Sequence, residues 1–130
     1  MTNSNQLCPV LFIPHGGGPL PLLGDESHLA LVSFLKEITL SLPLPSSILI
    51  ISAHWEEDKV TITNGKRPSL IYDYYGFPKE MYQIEYPAPG DPVLANIIYK
   101  LFQDSGIDAK LDEQRGFDHG MFVPLKLMFP

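Results

Sequence analysis

Pro9-Val10-Leu11-Phe12-Ile13-Pro14-His15-Gly16-Gly17-Gly18 is a short apolar run that stops at a histidine and three glycines. It shows no alternation of polar and apolar residues, so it predicts a strand covered on both faces. Ile48-Leu49-Ile50-Ile51-Ser52-Ala53-His54-Trp55 repeats the pattern, again with a histidine just beyond the run. Between the two, Leu29, Val32, Leu35 and Ile38 recur at three-residue steps, with Leu31 and Phe34 widening the stripe. That spacing predicts an amphipathic helix, capped by Asp25 or Ser27 and ended by Leu42-Pro43-Leu44-Pro45. Two buried strands joined by a helix form a βαβ unit, whose right-handed crossover brings both strand ends, and both histidines, to one edge.

Farther out the pattern is weaker. Val60-Thr61-Ile62-Thr63 alternates and predicts an edge strand, antiparallel to its predecessor across Glu56-Glu57-Asp58. Residues 68–92 are rich in Tyr, Pro and Gly, a composition that predicts a functional loop, interrupted by a short strand at 81–85. Asp91 caps a helix that begins at Pro92 and runs to Phe102, with Val93, Leu94, Ile97, Ile98, Leu101 and Phe102 on the buried side and Gly106 ending it. Ala109-Lys110-Leu111 is a further short strand, and Gly116-Phe117-Asp118-His119-Gly120 leads into a helix over 121–128. The fold class expected is α/β: a mixed sheet with a parallel βαβ start and flanking helices. Residues 122–129 are almost wholly apolar and require cover, with no later element to provide it.

Composition narrows the function. The chain has 130 residues, 45% of them hydrophobic and 18% charged, as a folded globular domain does. A net charge of −6 disfavours a nucleic-acid partner. No apolar stretch approaches the roughly 20 residues that cross a bilayer, and residues 1–7 lack a signal-peptide pattern, so the expectation is a cytoplasmic protein without a membrane partner. Cys8 is the only cysteine and is given no role.

His15 and His54 stand where buried strands give way to loops, the position at which open α/β sheets collect ligands. Two histidines with a further ligand and open positions suit catalytic zinc or non-haem Fe(II), and spacing alone does not choose. The glycines after His15 lack phosphate-loop spacing and more simply permit close approach and positive φ. His119 is assigned as a substrate-facing acid/base or hydrogen-bond donor; Asp118 either orients it or caps the following helix. His28 is read as a surface residue.

These residues, in this order, carry a resemblance. Phe12-Ile13-Pro14-His15-Gly16-Gly17-Gly18-Pro19, Ser52-Ala53-His54-Trp55-Glu56, Tyr72-Asp73-Tyr74-Tyr75-Gly76-Phe77-Pro78, Tyr86-Pro87-Ala88-Pro89-Gly90 and Gly116-Phe117-Asp118-His119-Gly120 span nearly the whole chain. The sequence resembles the class III extradiol ring-cleavage dioxygenases of the LigB superfamily, particularly the DOPA 4,5-dioxygenase type. The resemblance implies that His15 and His54 are metal ligands and that His119 lines the substrate pocket as its catalytic residue. It also implies that the Tyr-rich loop, through Tyr75 and Phe77, shapes that pocket. The metal implied is Fe(II), with zinc as an alternative occupant; the partners implied are a catechol-type small molecule and O2. A metal with open positions can hold both reactants side by side and pass electron density between them, which redox-inert zinc cannot.

Family members continue well beyond this length, and the further part carries another metal ligand and the usual acid/base histidine. Residues 1–130 are therefore expected to be the N-terminal part of a single LigB-like catalytic domain, completed by the rest of that domain or by a second chain. A catalytically silent LigB-like binding or interaction domain is the competing expectation, and a zinc hydrolase a third.

Overall fold

The computed structural model describes residues 7–130; the reading of the N-terminus as free of a signal pattern falls on residues that, up to residue 6, lie outside it. Among the described residues three α-helices and a small parallel sheet make up the regular structure, so the chain has the α/β class expected. Helix α1 is Leu29–Ser41, strand β1 Val60–Thr63, helix α2 Pro92–Asp104, strand β2 Ala109–Asp112 and helix α3 His119–Met128. Single 3-10 turns occupy Leu20–Leu22, Glu26–His28 and Lys79–Tyr82.

The parallel pair is not the one the apolar runs predict. β1 pairs in parallel with β2, Val60 opposite Ala109 through Thr63 opposite Asp112, with α2 between them in sequence. The expected antiparallel pairing of β1 is thus replaced by a parallel one. The runs at 9–14 and 48–51 are extended but enter no ladder among the described residues, and Val10 and Ile51 are each 94% exposed. An apolar run specifies that a segment be buried, not which segment lies beside it, and local sequence says little about partners far along the chain. The short strand expected at 81–85 is likewise absent, and a 3-10 turn at Lys79–Tyr82 stands at its start.

α2 forms for the reasons anticipated. The Asp91 carboxylate accepts from the Leu94 N–H at 3.0 Å, Pro92 supplies the first turn, and the chain leaves the helix through Gly106 at φ +73°. Its buried face is narrower than expected: Ala95 is buried, whereas Val93, Ile97 and Leu101 form an exposed stripe at four-residue steps. On α1 the inward residues are Leu31, Leu35 and Ile38, while Leu29 and Phe34 face outward.

α3 is the centre of the core. Phe122 and Val123 are fully buried, Met121, Leu125 and Met128 nearly so, and Leu35 and Tyr74 complete the buried cluster. The apolar tail is therefore covered, by α1 and by the Tyr-rich segment that precedes it in sequence rather than by any later element. That segment is tied down by its own hydroxyls: Tyr72 donates to the Ile84 carbonyl at 2.5 Å, Tyr74 to that of Met81, and Tyr86 to that of Phe129 at 2.9 Å. Buried tyrosines need such acceptors, which is why an aromatic loop lacking regular structure can still be rigid.

One parallel bridge, Leu70 with Phe117, fastens the Tyr-rich segment beside the entrance to α3. Ile71 N–H donates to the Phe117 carbonyl and Phe117 N–H to the Ser69 carbonyl, both at 2.8 Å. Replacing Phe122 by Ala is expected to cost about 3–5 kcal/mol of stability, as deletion of a fully buried ring does. Val93→Ala, at a site 73% exposed, should change stability by less than about 0.5 kcal/mol. Urea denaturation of the two variants measures both.

Candidate metal centre

The structure brings three of the four histidines together. His15 follows the extended run at 9–14, His54 follows that at 48–51, and His119 is the first residue of α3. Their ring centroids are 4.6 Å (His15 to His54), 5.0 Å (His15 to His119) and 4.2 Å (His54 to His119) apart. One nitrogen from each ring lies within 4.8 Å of the other two. His15 and His54 thus do reach one edge, although the ladder expected to bring them there is not formed.

Each ring is held differently. His119 is buried, and the Asp73 Oδ1 atom accepts from both its backbone N–H (2.9 Å) and its Nδ1 (2.7 Å). A carboxylate on Nδ1 fixes the tautomer and leaves Nε2 free on the far side of the ring. The other Asp73 oxygen is 3.8 Å from His54 Nδ1, so one carboxylate stands behind two of the three rings. Burial pushes the Asp73 carboxyl up, but the hydrogen bonds and charge of His119 outweigh it, and the net effect holds Asp73 below the usual carboxylate range.

His54 sits in a turn pinned on two sides. Its N–H donates to Ser52 Oγ at 3.2 Å, and Ser52 Oγ donates to Asp118 Oδ1 at 2.8 Å. Asp118 also meets Arg115 at 3.4 Å, and the Arg115 guanidinium lies 5.1 Å from the Trp55 ring centroid. Trp55 Nε1 donates to Glu57, which also takes the Lys110 ammonium of β2, each at 3.0 Å. Asp118 therefore neither orients His119 nor caps α3 with its side chain; its carboxylate holds the His54 turn instead. The absence of a side chain at Gly120 completes the arrangement, because a Cβ there would lie 2.8 Å from His54 Cδ2.

His15 and His54 point Nε2 at Nε2 across 2.8 Å. Two lone pairs cannot face each other at this distance unless a proton or a cation lies between them. Nitrogens occupying adjacent positions about 2.1 Å from one octahedral ion are about 3.0 Å apart, so the observed donor set fits a shared metal. Burial, then the neighbouring His119 and His54, depress the pKa of His15 and favour the neutral imidazole that a metal requires.

Of the remaining sequence candidates, Phe77 packs edge-on against Tyr74, with ring centroids 5.4 Å apart, and Tyr74 in turn stands 5.6 Å from the His119 ring. Tyr75 is 92% exposed. Burial, then Tyr72, Tyr82 and Asp73, push the Tyr74 hydroxyl up to about 12, so it remains a neutral donor. His28 is not a free surface residue: its side chain is only 17% exposed and bonded at both ring nitrogens. Asp73, which stands behind two of the three rings, is the member of this arrangement that sequence reasoning missed. The signal for it was an acidic residue set between Tyr72 and Tyr74, two aromatics that must be buried.

The sequence profile of a family described as the catalytic LigB subunit of aromatic ring-opening dioxygenase matches residues 12–130. Among curated proteins, the chain is 46% identical over 132 residues to Dioxygenase tasH of Hapsidospora irregularis, an overlap of 95% of this chain and 41% of that protein. It is 44% identical over 124 residues to 4,5-DOPA dioxygenase extradiol of Portulaca grandiflora (92% and 44% covered), and 38% identical over 128 residues to the protein of that name in Escherichia coli (98% and 45% covered). The chain spans less than half the length of these relatives.

Asp73→Ala is expected to release the His119 ring, so that long-range 1H–15N correlation spectra shift from a pure Nδ1–H signature toward the opposite tautomer. An unchanged His119 pattern in that variant would mean that the carboxylate does not orient the ring. Gly120→Ala should displace His54 while leaving the α3 core intact, seen as shifts confined to residues around Ser52 and His54.

Proposed function

Because the chain belongs to the LigB family of aromatic ring-opening dioxygenases, we propose that it forms the metal-binding face of an extradiol dioxygenase that opens a DOPA-like catechol with O2. The observation that carries this reading is the convergence of His15, His54 and His119 on one point. In this reading residues 1–130 are the N-terminal part of one catalytic domain, and the remaining metal ligand and a second acid/base histidine come from the rest of that domain or from a second chain.

His15 and His54 hold the metal through the two Nε2 atoms that face each other. Fe(II) is the ion proposed; bound there it would supply the redox chemistry by which a catechol can react with O2. His119 faces the substrate and takes the proton from a catechol hydroxyl. Asp73, already on Nδ1, stabilises the imidazolium so formed and keeps Nε2 directed at the substrate. Tyr74 and Phe77 wall this side with aromatic surface, against which a catechol ring packs, and Tyr75, exposed on the same loop, is a further residue proposed to contact the substrate. Both oxygen atoms of O2 enter the product as the ring bond beside the two hydroxyls opens.

A second reading has a specific observation behind it: His119 also lies within ligand distance of the other two rings and can act as a third ligand, for which zinc serves as well as iron. The two readings separate experimentally. His15→Ala and His54→Ala should abolish stoichiometric Co(II) or Zn(II) binding by the 130-residue chain. His119→Ala should retain the metal if the residue is the acid/base and lose it if it is a ligand. Catalysis is tested in a chimera joining residues 1–130 to the other half of the Escherichia coli relative, loaded anaerobically with Fe(II) and given DOPA and O2. O2 uptake with a yellow ring-opened semialdehyde is expected, falling about 10²–10⁴-fold in His119→Ala. Iron retained without O2 uptake would instead select the catalytically silent binding domain.

A further inference from the structure

The three rings of the cluster differ in what orients them. His119 has Asp73 on Nδ1, and His54 has the same carboxylate nearby. His15 Nδ1 is buried and has no hydrogen-bond partner. A metal-ligating histidine is ordinarily aimed by an acceptor on its second nitrogen, and for His15 the nearest such group is the backbone of its own neighbour Gly16, with no well-formed bond to any other residue. Its aim must come from its backbone, that is, from the loop Gly16-Gly17-Gly18.

That loop is gripped from below by His28. The Gly17 N–H donates to His28 Nε2 at 3.0 Å, so Nε2 is the acceptor and Nδ1 carries the ring proton. Nδ1 then donates to Asp25 Oδ2 at 2.6 Å, and Ser27 Oγ donates to the same carboxylate. The imidazole also occupies the space a side chain at position 16 would need. Gly16 stands at φ +78°, and a Cβ there would come within 2.6 Å of His28 Cδ2. His28 itself ends the turn Glu26–His28 and immediately precedes α1, which anchors the clamp to a core helix through Leu35.

We propose that His28 is a positioning residue for the metal centre: held by Asp25, its ring fixes Gly16 and Gly17 so that His15 Nε2 stays directed at His54. This rests on the reading of His15 as a ligand. A histidine that merely closed the turn at 25–28 would need only the Asp25 contact; the bond to an amide 11 residues earlier, two residues from His15, is what joins it to the site.

The test reads two signals in the 130-residue chain: hydrogen exchange at the Gly17 amide, and the affinity and d–d spectrum of bound Co(II). His28→Phe keeps a flat ring beside Gly16 but has no acceptor. It is expected to speed Gly17 exchange at least about tenfold and to weaken Co(II) binding about 10–100-fold, the usual range for loss of an outer-shell partner, with far-UV circular dichroism unchanged. His28→Gln places an amide oxygen near the former Nε2 and should restore most of both signals. Asp25→Ala, which frees the ring without altering it, should weaken Co(II) binding in the same direction and serves where His28→Phe fails to fold. Wild-type Co(II) affinity in His28→Phe, with Gly17 exposed to exchange, would overturn the positioning role alone. Failure of the unsubstituted chimera with the other half of the Escherichia coli relative, which supplies the remaining ligand, to bind Co(II) would overturn the metal reading, and the proposal with it.

Discussion

The grip of Asp73 on His119 is the constraint on which the site depends. A single carboxylate oxygen accepts from both the backbone and the ring of a residue 46 positions later, at the first turn of the most buried helix. The bond does three things at once. It sets the His119 tautomer, fastens the Tyr-rich segment over α3, and puts negative charge behind the His54 ring. Each would otherwise need its own device.

That interaction is possible only because of the packing around it. α3 is both core and site: Phe122, Val123 and Leu125 fill the interior, while its first residue, His119, belongs to the histidine cluster and its second, Gly120, lies against His54. The Leu70 to Phe117 bridge delivers Asp73 to the start of that helix. Chemistry placed at the end of a close-packed element is held more firmly than chemistry on a free loop, because the core resists displacement. The His15 loop is the exception, and it is there that a clamp from His28 and Asp25 takes the place of packing.

The two apolar runs that lead to His15 and His54 remain extended, with most side chains exposed and only Ile13 and Ile50 packed against the core, and the chain overlaps less than half of the tasH, Portulaca grandiflora and Escherichia coli proteins. Extended backbone without a ladder still delivers its terminal residues to the right place here, because the turns after it are pinned: His54 through Ser52 and Asp118, His15 through Gly17 and His28. The geometry of the centre is therefore set by side-chain bonds more than by the sheet.

Much was legible in the residues alone. Local rules located α1 and α2, the proline and aspartate that open α2, the glycine that closes it, the α/β class, and the two histidines at the ends of apolar runs; the five ordered motifs pointed to the family. These are properties of neighbours in sequence, which backbone sterics, capping and periodicity govern directly. What only the tertiary structure decided was pairing over distance. It made Val60–Thr63 parallel to Ala109–Asp112, turned the apolar end of the chain into the core, chose Asp73 over Asp118 as the orienter of His119, and converted His28 from a surface residue into a clamp. Hydrogen bonds across tens of residues depend on how whole elements pack, and no local pattern encodes which carboxylate will arrive beside which imidazole.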